Sequence, residues 1–456
     1  MNSFGVLRHF QDSTKVDVNY RRIWQISLPI IIGSLVQNLL NITDTIFLGQ
    51  LGVVELGAGA IGGLLHLAAV MVAYGFAIGT QIVISRRYGQ KKYASIGITL
   101  THSFYFLLII AVSLFWVLWQ FTPIILSATL KSPRIIDASI EFIAWRKWGL
   151  FFVIIGLLAQ SFFIGIGHTK VISVANSFMV AVNIILDYCL IFGNFGFPAM
   201  GISGAAFASV LAEMSGALFY IVYIMVSVDR VKYNLFAFTR FSASFLKPLL
   251  RISLPTMLQN LLSFSCWLLF FFIIENMGEK VLAASNIVRS LYVILLIPVW
   301  GISSATSSLT SYLIGGGRKE EVVGLVFRAE LLSFIAVLLI LGVSTFFSYD
   351  LLMLYTTDRA LVDFTAPILL VVAIAGPVLS VGMIAFQAVA GTGNTNITLL
   401  IETVNLILYL LVAFLFSSVW HFSVSTVWTV EILYGSFLAI SSFLYLKYGK
   451  WRNTSI

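Results

Sequence analysis

Charge is scarce in this chain. Only 10% of its 456 residues are Asp, Glu, Lys or Arg, against roughly 25% in soluble domains. So few charges cannot clothe a water-facing surface at this length, which excludes a soluble globular protein. Cysteine is nearly absent as well. Cys189 and Cys266 both lie in apolar runs, which excludes a disulfide framework and leaves them as small packing residues. The five histidines show no metal-ligand spacing. No glycine-rich loop precedes a Lys and Ser/Thr pair, so direct use of ATP through a Walker motif is not expected. The runs GAGAIGG at 57–63 and GGG at 315–317 read instead as a close helix-packing surface and a turn. Residues 1–22 are polar and mixed in charge, so no cleavable leader is expected.

Apolar sequence is what the chain has in quantity, at 59%. Twelve runs, the first at 23–47 and the last at 422–446, are each long enough for a membrane crossing, which takes about 20 residues. The alternating ~10-residue segments of an outer-membrane barrel do not occur. The expected fold class is an all-α integral membrane protein with twelve transmembrane helices. A net charge of +8 would suit nucleic acid, but its distribution argues otherwise. Arg21, Arg22, Arg86, Arg87, Lys91, Lys92, Arg230, Lys232, Arg251, Arg318, Lys319 and Lys447 all fall on one side of a twelve-span threading. The other side receives only Lys131, Arg134, Lys280 and Arg359. The positive-inside rule then predicts both termini in the cytoplasm. The basic balance serves topology and attraction to anionic membrane lipid, and no nucleic-acid partner is expected.

The chain repeats itself at one fixed offset. QISLP at 25–29 recurs as RISLP at 251–255, 226 residues on. The same offset pairs Gly75 with Gly301, Gly89 with Gly315, and GIGHT at 165–169 with GTGNT at 391–395. A register held over more than a hundred residues marks a duplication. It divides the chain into an N-terminal segment 1–22, a first lobe 23–227, a basic linker 228–249, a second lobe 250–446 and a tail 447–456. Six spans per half make the lobes parallel repeats about an axis along the membrane normal, with a cavity between them that rocking exposes to alternate sides.

Polar stripes run through the apolar helices. Ser34, Gln37, Asn41 and Asp44 share one face of the first span, and Asn176, Asn183 and Asp187 share one face of the fifth. A charge in hydrocarbon costs at least ~2.5 kcal/mol, so each carboxylate needs a partner or a wet cavity. At 1.5 Å per residue Asp44 lies roughly 30 Å and Asp187 roughly 25 Å from the basic side, and Ser209 about 12 Å from the other. These counts bring Asp44, Asn183, Asp187 and Ser209 to one layer of the first lobe. Their hard oxygens suit sodium, and close carboxylates that cannot easily both stay ionised suit a proton equally. At +226, Asn41, Asp44, Asn183 and Asp187 become Trp267, Phe270, Tyr409 and Ala413. Ion coupling is therefore expected in the first lobe. Glu213 and Glu431, near mid-depth, either line the cavity or pair with a nearby Arg or His. Glu402 reads as interfacial, and Arg146 and Lys147 as snorkelling or pairing with Glu141.

Together these segments resemble the multidrug and toxic compound extrusion (MATE) family over roughly 20–448. The best marks are SLPIIIGSLVQNLLNITDTIFLGQLG in the first span and YGFAIGTQIVISRRYGQKK after the second. NIILDYCLIFG, GIGHTK and GTGNT add to them. The resemblance implies a V-shaped, two-lobe antiporter, not an enzyme, that exports amphipathic organic cations in exchange for sodium or protons. It implies that Asp44, Asn183, Asp187 and Ser209 form the coupling site and that Gln37, Gln160 and Asn176 line the substrate cavity with Asn41. One branch of the family carries a glutamate in the seventh helix; LPTMLQNLLSFSCWLLFFF has no acid there. A monomer in the bacterial inner membrane, without cofactor, is expected. The rival readings are a flippase for lipid-linked sugars, which calls for a cavity rich in Arg and Lys, and a membrane-embedded enzyme, which calls for clustered catalytic ligands.

Overall fold

The computed structural model describes residues 18–237 and 242–453. Residues 1–17 of the N-terminal segment, 238–241 of the linker and 454–456 of the tail lie outside the described residues. Twelve helices are long and apolar enough to cross a membrane: α1 Tyr20–Leu51, α2 Val53–Gly89, α3 Ala94–Thr129, α4 Pro133–Gly165, α5 Lys170–Phe192, α6 Gly201–Ser227, α7 Ala243–Glu275, α8 Glu279–Gly315, α9 Glu321–Phe346, α10 Arg359–Gly391, α11 Thr395–Val419 and α12 Val424–Tyr448. They form a multi-pass, V-shaped bundle of two lobes. Several helices overrun the expected spans: α1 starts at Tyr20, where Asn19 caps it by accepting from the Arg22 amide, and α2 runs on to Gly89.

The duplication is written into the packing. α1 lies on α5 as α7 lies on α11; α2 lies on α4 as α8 lies on α10; α5 and α6 pair as α11 and α12 do. Single bonds repeat too. Thr169 donates to the Gln25 carbonyl over 3.4 Å, and Thr395 to the Arg251 carbonyl over the same distance. Gly167 and Gly393 hold matching left-handed turns, φ 73° and 85°, ahead of α5 and α11. Gly278 starts α8 at φ 119°, a conformation that only glycine adopts without strain. A Cβ there meets no atom within 4 Å. Gly278→Ala therefore isolates a backbone cost of about 1–3 kcal/mol, expected as a lower thermal midpoint of the purified protein. An unchanged midpoint contradicts this account of the turn.

The lobes join at the end that carries the termini. Val18 and Trp451 share one apolar cluster with Leu313 and Val322. Between the lobes, glycines let backbones touch. A Cβ on Gly89 would stand 2.2 Å from the Tyr312 carbonyl oxygen, and one on Gly315 would stand 2.3 Å from that of Arg86. These are the same contact seen from each repeat. Ser85 and Ser308 hydroxyls bond at 2.7 Å, and Gln81 donates to the Ser304 carbonyl over 3.2 Å. Buried Arg86 crosses the seam to the carbonyl of Thr392 at 2.7 Å and to Ser311 Oγ at 3.3 Å. Apart from Thr392, which follows α10, these residues lie in the halves of α2 and α8 nearest the termini, so the lobes are closed against each other at this end.

Candidate functional site

Asp44 near the far end of α1 and Asp187 near the far end of α5 come together because α1 packs along α5. The side chains face one another closely enough to interact directly. Asp187 and Asn183 have no solvent exposure, whereas Asp44 is half-buried. Asp44 Oδ1, Asn183 Oδ1 and both Asp187 oxygens are buried without a hydrogen-bond donor. Carboxylates only accept, so nothing in the couple itself can satisfy these atoms. Among the described residues no Lys or Arg forms an ion pair with either aspartate. Orphaned acceptor oxygens with uncompensated negative charge fit a hard cation or a proton.

The second lobe shows what the same place looks like without that role. Phe270 and Tyr409, equivalents of Asp44 and Asn183, pack with ring centroids 5.4 Å apart. Ala413, the equivalent of Asp187, is fully buried in the same apolar cluster. Helix packing alone is satisfied by rings and a methyl group at these positions, so the acids are not needed to build the scaffold.

The remaining expected residues are distributed as follows. Ser209 is buried on α6, a helix that packs on α5, one turn before Glu213. Asn176 is also buried, and its amide donates to the Gly33 carbonyl over 3.2 Å, tying α5 to α1. Gln37 and Asn41 are exposed along α1, and Gln160 is half-buried on α4.

One component was only half visible in the sequence. Arg146 does not pair with Glu141, which instead accepts from Ser203 at 2.6 Å. It forms a two-pronged bond with Glu213, at 2.6 and 2.8 Å. The reason is steric: Gly149, on the next turn of α4, leaves open the space that the pair fills. His66 Nε2 stands 3.9 Å from Glu213. Arg146 and Glu213 both lie within electrostatic range of Asp44. The signal was present in two opposite charges at mid-span on helices four and six, but pairing requires knowing that α4 and α6 touch. Lys147 lies over the Phe115 ring at 5.1 Å. Arg146→Met would leave Glu213 with only His66 near it, a loss of up to about 3 kcal/mol for this half-buried pair. Arg146→Met with Glu213→Leu is expected to recover much of the lost thermal stability. Equal midpoints for the single and double variants would show that the pair carries no coupling.

Glu402 departs from the expectation more sharply. It is 2% exposed, not interfacial, because α7 and α12 close over that turn of α11. It accepts from Ser263 at 2.6 Å and from Tyr434 at 2.8 Å. Glu431 likewise pairs with no base among the described residues, accepting from the phenols of Tyr292 and Tyr409 at 2.7 and 2.8 Å.

Comparison with known proteins agrees with this geometry. The family model described as MatE matches residues 29–189 and again 255–415, two blocks at the 226-residue offset. A probable multidrug resistance protein NorM of Thermotoga maritima is 22% identical over 460 residues, covering 99% of this chain and 97% of that protein. A second, from Shewanella oneidensis, is 23% identical and covers 82% of each. Among solved structures, an outward-facing MATE family transporter of the MOP superfamily superposes with a TM-score of 0.86 at 22% identity, covering 94% of this chain and 95% of that one. With both halves of the chain matched by the family model, and the twelve-helix, two-lobe fold matched by solved members, this protein belongs to the MATE family.

Proposed function

We propose that the protein is a secondary active multidrug efflux antiporter and not an enzyme. It exports amphipathic organic cations from the cytoplasm of a bacterial cell in exchange for sodium or protons. The observation that carries this reading is the unpartnered, buried Asp44–Asp187 couple in one lobe of a two-lobe bundle whose other end is sealed. Occupation of the couple by a small cation lowers its negative charge and lets α1 and α5 pack differently. Release of the ion restores the charge and draws water. A helix with Pro29 two residues before the seam contact at Ile31 is suited to bend between such states. The positive-inside pattern supports a cytoplasmic position for the sealed end, and on that reading the described conformation is closed to the cytoplasm. The flippase reading calls for free bases to hold phosphates. Arg146 is occupied by Glu213, and Arg289 lies over the rings of Trp267 and Phe271.

The test is efflux of a fluorescent organic cation from proteoliposomes under an imposed sodium or proton gradient. Export with one or both gradients supports antiport. A protein that moves the dye equally with no gradient, or moves only lipid-linked sugars, is not the antiporter proposed.

A further inference from the structure

We propose that the second lobe holds its own proton-binding site, at Glu402, with Ser263 and Tyr434 as direct partners and Gln259 beside it. Ser263 Oγ stands 3.0 Å from the Gln259 main-chain carbonyl and 2.6 Å from Glu402 Oε1. A hydroxyl carries one hydrogen, and both of these neighbours accept as long as Glu402 is ionised. One contact is then unsupported. A proton on Glu402 Oε1 completes the set: Ser263 donates to the Gln259 carbonyl, Glu402 donates to Ser263, and Tyr434 donates to Glu402 over 2.8 Å.

The surroundings agree. Glu402 is 2% exposed and its Oε2 is buried with no partner. The Gln259 side-chain oxygen, in a residue 8% exposed, is buried and unpartnered as well. The duplication places the two together. Gln259 and Glu402 are the +226 equivalents of Gly33 and Asn176, and a Cβ on Gly33 would stand 3.1 Å from the Asn176 amide nitrogen. Among the described residues no Lys, Arg or His pairs with Glu402 or Glu431. An ionised, unpaired carboxylate at such depth is costly.

Glu402 and Glu431 differ in a way that assigns the proton between them. Each oxygen of Glu431 has its own phenol donor, which suits a carboxylate, whereas Glu402 has one oxygen crowded and one empty. The ionisable groups facing Glu402 are Tyr434 and Glu431 from α12 and Cys266 from α7, which is within electrostatic range of both acids. Tyr409 on α11 itself lies against Tyr434, with ring centroids 5.8 Å apart. Tyr292 from α8 reaches Glu431. On α10 the ionisable residues are Arg359 and Asp363, both in its first two turns. Loss of the proton forces Ser263 to choose between Glu402 and the Gln259 carbonyl, so ionisation is read out in the backbone of α7, two turns past Pro255.

This site is independent of the antiport reading, and its test needs no transport. Infrared spectra of the purified protein report the carbonyl band of a protonated carboxylic acid, separate from carboxylate. At neutral pH the band is expected in the wild type and in the Asp44→Asn/Asp187→Asn double variant, retained in Glu431→Gln, and weakened when Glu402→Gln is introduced into either background. A wild type without the band, or a band undiminished in Glu402→Gln, overturns the proposal. Should Glu402→Gln fail to fold, Ser263→Ala keeps the acid and removes the acceptor of its proton. The band then shifts in frequency, and a band that stays in place overturns the proposal equally.

Discussion

Asp187→Asn is expected to abolish ion-driven export while leaving the protein folded, and Asp44→Asn is expected to do the same. The substitution keeps shape and volume and removes the charge that an ion would neutralise. Coupling energies of 1–3 kcal/mol correspond to roughly 5–150-fold in an equilibrium, so gradient-driven efflux should fall at least by the upper part of that range, to the level of empty vesicles. Stability should move the other way. Asp187 is fully buried with neither oxygen bonded, and removing an unpaired buried charge relieves desolvation. An unchanged or higher thermal midpoint together with lost export is the signature of a functional acid. Lower stability with intact export would make the couple structural.

The second large effect is expected at the seam. Gly89→Val with Gly315→Val puts branched side chains where a single Cβ would already stand 2.2 and 2.3 Å from backbone oxygens of the opposite lobe. Backbone cannot give way as a side-chain tip can. Overpacking typically costs 1–3 kcal/mol. Here the clash exists only while the seam is shut, so it falls on one conformation rather than on the fold. The population should move toward the state open at the termini end. Thiol labelling of a cysteine placed at Ser304, which now faces Gln81 across the seam, reads this directly. An impermeant reagent applied on the side that carries the termini should label the double-valine variant and spare the parent. Equal labelling of both would mean that the glycine contact does not gate that end.

Much of this architecture was legible in the sequence because the bilayer imposes it. Apolar runs of fixed length, basic residues biased to one side and a constant 226-residue offset each have a single physical reading, and the contacts between α1 and α5 and between α7 and α11 follow from the repeat. The Asp44–Asp187 meeting was legible because rise per residue is constant, so depth can be counted from a helix end. What was not legible depends on which helices touch. Arg146 had two acids at plausible distance, Glu141 and Glu213, and only the packing of α4 against α6 selects the second. Glu402 was misplaced for a related reason. Helices in the second lobe extend past the hydrocarbon length, so its count from the α11 start set it at a surface that α7 and α12 in fact cover. The second-lobe tyrosines that bond Glu402 and Glu431 gave no periodic signal, since each comes from a different helix.

The most direct measurement is ion displacement by substrate. Purified protein in weakly buffered detergent, with sodium followed by electrode and protons by indicator dye, is titrated with a fluorescent organic cation. Release of one or the other ion is expected from the wild type and none from Asp44→Asn/Asp187→Asn, with Glu213→Gln retaining release. Equal release from the double-asparagine variant and the wild type would contradict the assignment of coupling to the first-lobe aspartates.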